Sequence, residues 1–134
     1  MNFHEIKPRI SVDNIHFGLS LQTLVAEGYA EDVDCFDEST KWKTFKKDDD
    51  CEFYVKDGSV VCIACFKNCR INGVPIIGES VGRLVATLGQ ADEIGDPIWV
   101  SDDQQQIPYE FFPLGLQIWV ESGRVVSVFC NAIY

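Results

Sequence analysis

The chain reads as an α+β domain: two tandem αβββ repeats forming one antiparallel sheet with two short helices on one face. Three observations predict this. A hairpin phrase occurs twice, FYVKDGSVVCIAC at 53–65 and IWVESGRVVSVFC at 118–130. A helix-opening phrase precedes each, GLSLQTLVA at 18–26 and GESVGRLVA at 78–86, aligning Gly18 with Gly78, Ser20 with Ser80, and Leu24 to Ala26 with Leu84 to Ala86. Self-similarity of this kind marks one supersecondary unit written twice, each copy covering the apolar face of the other. Finally, 134 residues at 46% hydrophobic suffice for a single domain over 1–134 that buries roughly two thirds of its unfolded surface. Repeat one runs over about 15–69 and repeat two over about 75–131.

The helices come first in each repeat. Ser20 and Ser80 stand where a side-chain oxygen can accept from the unpaired amides of a first turn. Leu21, Leu24 and Val25, like Val81, Leu84, Val85 and Leu88, follow the i, i+3, i+4 spacing of a helix with one buried stripe. Gly28 and Gly89 are natural stops, since Gly tolerates the left-handed C′ conformation. Capping, rather than a catalytic serine, accounts for both Gly-x-Ser openings.

Three strands are expected after each helix: about 41–46, 51–56 and 59–66, then about 107–112, 115–121 and 124–130. Asp57-Gly58 and Ser122-Gly123 are two-residue type I′ turns, in which both central residues need positive φ. Strict alternation from those turns sorts the faces. Phe53, Val55, Val60, Cys62 and Ala64, with Leu116, Ile118, Val120, Val125, Ser127 and Phe129, are expected toward the helices. Glu52, Tyr54, Val61, Ile63 and Cys65, with Gln117, Trp119, Val126, Val128 and Cys130, are expected to point away. Trp42 and Phe45 fall on opposite faces, and the sequence leaves open which is inward. An outer face this apolar needs a cover: segment 1–14, the loop 90–106, a second copy, or a foreign partner.

Charge narrows the partner. Eleven basic against twenty-one acidic side chains give a formal net charge of −10, which repels phosphate backbones and anionic membranes and attracts basic surfaces. Nucleic acid and membrane are therefore not expected as partners. The acids gather in expected connections, EDVDCFDE at 31–38, Asp48 to Asp50, Asp92-Glu93 with Asp96, and Asp102-Asp103. No apolar run is long enough for a signal peptide or a bilayer span, so a cytoplasmic location is expected, with the six Cys as thiols.

Chemistry finds little purchase. Residues three apart on a strand point to opposite faces, so Cys62 and Cys65 cannot chelate together, and Cys62, Cys65 and Cys69 read as buried inert thiols. No metal or cofactor is expected. Only His4 and His16 could serve as a base beside a nucleophile, and no phosphate-cradling Gly loop is present. The chain is expected not to be an enzyme; a thiol or metal hydrolase built on Cys69 or Cys35 with His16 is the remote alternative.

The repeated Gly-x-Ser helix start and Val-x-Asp/Ser-Gly-x-Val hairpin resemble the tandem units of the β-lactamase-inhibitor-protein-like fold, related to the small outer-membrane assembly lipoprotein domain. The likeness covers roughly 15–131 and is specific for architecture more than for function. It implies that the aromatic sheet surface grips a partner protein. Lacking a lipid-attachment start, the chain looks more like an immunity protein of a contact-dependent growth-inhibition system. That implies binding to a cognate basic toxin, a nuclease for preference, by occlusion of its active site. The expected partner-binding residues are Tyr54, Trp119 and Trp42 as anchors, Glu52 and Gln117 beside them, and Asp48, Asp49, Asp102 and Asp103 as a charged rim. The alternative is a module that dimerises or scaffolds through the same face.

Overall fold

The computed structural model describes residues 3–131; residues 1–2 and 132–134 of the expected domain lie outside them. The strands and helices in chain order are β1 (His4–Lys7), β2 (Ser11–Val12), β3 (Ile15–His16), α1 (Leu21–Ala26), β4 (Ala30–Asp37), β5 (Trp42–Lys46), β6 (Cys51–Lys56) and β7 (Ser59–Cys65). The second half follows with β8 (Cys69–Ile71), β9 (Val74–Pro75), α2 (Val81–Leu88), β10 (Glu93–Ile94), β11 (Ile98–Ser101), β12 (Gln104–Phe111), β13 (Leu116–Glu121) and β14 (Arg124–Asn131). The fold is α+β, an antiparallel sheet with two short helices.

Both serines cap as expected. Ser20 Oγ accepts from the Thr23 amide at 3.3 Å and Ser80 Oγ from the Arg83 amide at 3.2 Å. Each helix entry is then stitched to the hairpin of its own repeat. The Gly18 amide donates to the Val60 carbonyl at 2.9 Å, and the Val60 amide to the Leu19 carbonyl at 3.0 Å. In repeat two the Gly78 amide donates to Val125 at 2.7 Å, and the Val125 amide to Glu79 at 2.9 Å. The duplicated words thus fold into duplicated bonds.

The large sheet has nine strands, β10-β12-β13-β14-β7-β6-β5-β4 with β11 on β12. The two repeats meet at β7 and β14, where Ala64 pairs with Phe129. These two residues immediately precede the matching Cys65 and Cys130, so the junction is a pseudo-two-fold. A second sheet, β3-β2-β1-β8-β9, has β1 and β8 running parallel. Its Ile6, Val12, Ile15 and Ile71 join Leu24, Leu84, Phe45, Phe53 and Ile118 in one buried cluster. The small sheet therefore shares the inner side of the large sheet with the helices, and segment 1–14, in its described part, does not cover the outer face.

Two expectations are corrected. The acidic stretch 31–38 is not a connection: Ala30 to Asp37 form β4, the exposed edge of the large sheet, where charge discourages pairing with other chains. Strict alternation also fails in both hairpins. Tyr54 pairs with Cys62 and Val55 with Val60; Trp119 pairs with Ser127 and Val120 with Val125. Val61 and Val126 are therefore extra residues, one bulge in each repeat. They mark the point where the strand changes neighbours, since Val60 bonds the helix entry whereas Cys62 to Cys65 pair with β14. Beyond each bulge the faces exchange. Ile63, Cys65, Val128 and Cys130 belong to the inner core, while Cys62, Ala64, Ser127 and Phe129 share the outer face with their cross-strand partners Tyr54, Glu52, Trp119 and Gln117.

Candidate functional site

The outer face carries a continuous row of rings. Trp42 stacks on Tyr54 with centroids 5.7 Å apart and planes at 28°. Tyr54 lies parallel to Phe129 at 6.4 Å, and Phe129 meets Phe66 edge-on at 6.1 Å. β7, between Tyr54 and Phe129, supplies Cys62 and Ala64 to this part of the face, and both are buried. Small residues at the junction are what let rings from the two repeats close over the strand between them. Trp42 is thus outward and Phe45 inward, which the sequence left open.

Each half repeats a small polar device beside its ring. The Tyr54 hydroxyl donates to Glu52 Oε2 at 2.7 Å, and Trp119 Nε1 donates to Gln117 Oε1 at 2.9 Å. Gln117 Nε2 in turn donates to Glu110 Oε1 at 2.6 Å. Burial, and then the Glu52 carboxylate, push the Tyr54 hydroxyl well above its ordinary pKa, so it stays a neutral donor. Asp32 holds Lys46 at 3.2 Å; that bond and the one from the Cys35 thiol keep its carboxyl below the ordinary value. Glu121 accepts from Gln106 at 3.1 Å. Acids on this face, Asp32, Glu52, Glu110 and Glu121, thus stand among the rings.

A cleft of about 350 Å³ opens over the second half of the face, lined by Trp119, Phe129, Phe66, Gln117, Ile98 and Val100 among others. A second, of about 390 Å³, lies at the other end, with Trp42, Lys56, Val61 and Asn131 among its walls. The loop expected at 90–106 contributes β11 to the first cleft and so partly roofs the face. It also leaves Trp99 62% exposed, beside Ile98 and Val100 at about half. Apolar exposure concentrated on one short strand is unusual for a surface that meets only water.

The expected site residues divide into two groups. Trp42, Tyr54 and Glu52 come together, as do Gln117 and Trp119. Asp48 and Asp49 lie in the β5–β6 turn and Asp102 and Asp103 in the β11–β12 turn. By register, both turns leave the sheet at the end toward which Trp119 lies. Asp48 gathers with His4 and Asp50, whereas Asp103 lines a groove with Trp99, Gln105 and Val120. Phe129, Phe66 and Trp99 were not expected. The bulge hid Phe129, while the apolar triplet Ile98-Trp99-Val100 inside an assumed loop was a readable signal of a strand.

The residues of the hydrolase alternative do not meet. His16 is exposed on β3, its Nδ1 3.3 Å from the Asn14 carbonyl oxygen. Cys69 is buried on β8, with β2 and β1 intervening. Cys35 is exposed on β4 of the other sheet. Among the described residues, no helix is long and apolar enough to cross a membrane. No family model, curated protein or solved structure matches the chain.

Proposed function

We propose that the chain is an immunity-type inhibitor that seats the aromatic outer face against a basic toxin domain, a nuclease for preference, and occludes its active site. The observation that carries the reading is the ring row Trp42-Tyr54-Phe129 running into the Trp119 cleft with carboxylates set among the rings. Aromatic anchors surrounded by polar groups are the usual composition of an interface centre. A net charge of −10 steers such a surface toward a cationic cleft and speeds encounter at low salt.

The experiment is co-expression with the product of the neighbouring upstream gene. A stoichiometric complex that suppresses that protein's activity, with an association rate falling as salt rises, is the expected result. Failure to associate would count against the reading. A tight homodimer with the tryptophans shielded would favour the scaffold instead, a reading that exposed Ile98, Trp99 and Val100 also support.

A further inference from the structure

Three of the six cysteines converge on the inner side of the large sheet. Cys51, Cys65 and Cys69 bring their Sγ atoms within 4.8 Å of one another. Cys51 and Cys65 are directly opposed on β6 and β7, with Sγ atoms 3.5 Å apart. Cys69 arrives from β8 of the small sheet, and Cys130 is buried on β14, the strand beside β7, outside that triplet. Small apolar filler explains one or two such residues; it does not explain thiols meeting from three strands and two sheets. Cys62, three residues before Cys65 on the same strand, lies on the opposite face and stays apart from the group. What spacing along the chain could not show is that Cys51 stands across from Cys65, and that β8 returns Cys69 to the same place.

A zinc–thiolate tetrahedron with bonds of about 2.3 Å has sulfur–sulfur edges of about 3.8 Å, and the cluster spans that size. We propose that Cys51, Cys65 and Cys69 form a three-thiol site for a thiophilic closed-shell metal ion of the zinc class, its fourth position taken by water from the neighbouring cleft. The ion has a route in. Cys69 forms part of the wall of a surface cleft of about 280 Å³ that also involves Phe3, Lys67, Asn68, Pro75 and Ile77. Loading changes no oxidation state: each ligating thiol gives its proton to solvent as its sulfur–metal bond forms, three protons for three bonds. Without metal the Cys51, Cys65 and Cys69 thiols hold their protons. Contact with Cys65 lowers Cys51, but Cys69 and burial outweigh it; Cys130, then Cys51, and burial raise Cys65 against a lowering by Cys69.

The test is titration of the full chain, reduced and stripped of metal, with Co²⁺ and then Zn²⁺. Expected are one equivalent of Co²⁺ with a strong thiolate-to-cobalt absorption band, displacement by one equivalent of Zn²⁺, and a rise in melting temperature reversed by chelator. Cys69→Ser, at the cleft, should remove the band. Cys62→Ser, on the outer face, should keep it. Binding without a thiolate band, as the His4, Asp48 and Asp50 group could give, would overturn the proposal. So would no binding at all, or uptake of cuprous copper in preference to zinc. The wild-type titration decides even if a core variant fails to fold.

Discussion

A double-mutant cycle on Tyr54 and Phe129 tests the feature from which the outer face follows, the bulge in each hairpin. Tyr54→Leu and Phe129→Leu keep apolar volume but remove the parallel rings at 6.4 Å. An aromatic pair contributes about 0.5–1.5 kcal/mol beyond the area it buries, and contacting residues show that surplus as non-additivity. For a chain of 134 residues, an unfolding entropy of about 2.1 cal/mol/K per residue makes the melting entropy about 0.28 kcal/mol/K. The surplus then appears as about 2–5 °C in melting temperature, measured by far-UV circular dichroism with urea melts alongside. Phe129→Leu with Leu84→Ala, on opposite sides of the sheet, should be additive. If the Tyr54–Phe129 cycle closed within about 0.3 kcal/mol, the rings would not be in contact. Phe129 would then belong inside, as strict alternation has it.

Further outcomes follow from single contacts. Ser80→Ala removes the Arg83 amide's partner at 3.2 Å and should cost about 0.5–2 kcal/mol in urea unfolding. Gly115 has φ +64, and a Cβ there would collide with the Asn131 carbonyl oxygen. Gly115→Ala should therefore cost more than the roughly 1 kcal/mol of a left-handed residue alone, read as the urea midpoint. His4 lies 2.7 Å from Asp13 and 3.0 Å from Asp50. Burial pulls its pKa down, yet the two carboxylates outweigh burial and hold it above the ordinary value. A raised folded pKa means that this stabilisation is present in full below about 6.5 and is lost as pH rises through the folded value. Urea midpoints from pH 5 to 9 should show that fall, and His4→Gln should flatten it.

Much of the architecture was legible because local chemistry and global fold agree here. Ser20 and Ser80 cap, the Asp57-Gly58 and Ser122-Gly123 turns have positive φ throughout, and the later strands fall within a few residues of their expected ends. What stayed hidden has physical causes. A period of two cannot register one inserted residue, so Val61 and Val126 turned half of each strand over. Side-chain size held the clue, because strict alternation sent Val128 outward and Ser127 into the core. Charge masked β4, since the acids of Ala30–Asp37 read as a solvated loop although they protect an edge. The thiol cluster depends on contacts between two sheets, and nothing in the spacing of Cys51, Cys65 and Cys69 along one chain announces that.

The most direct measurement of the binding reading is the affinity of Tyr54→Ala/Trp119→Ala for the neighbouring gene's product, with circular dichroism confirming an unchanged fold. Loss of two interface anchors should cost about 2 kcal/mol or more, some thirtyfold in Kd. Affinity equal to that of the unaltered chain would place the interface elsewhere on the molecule.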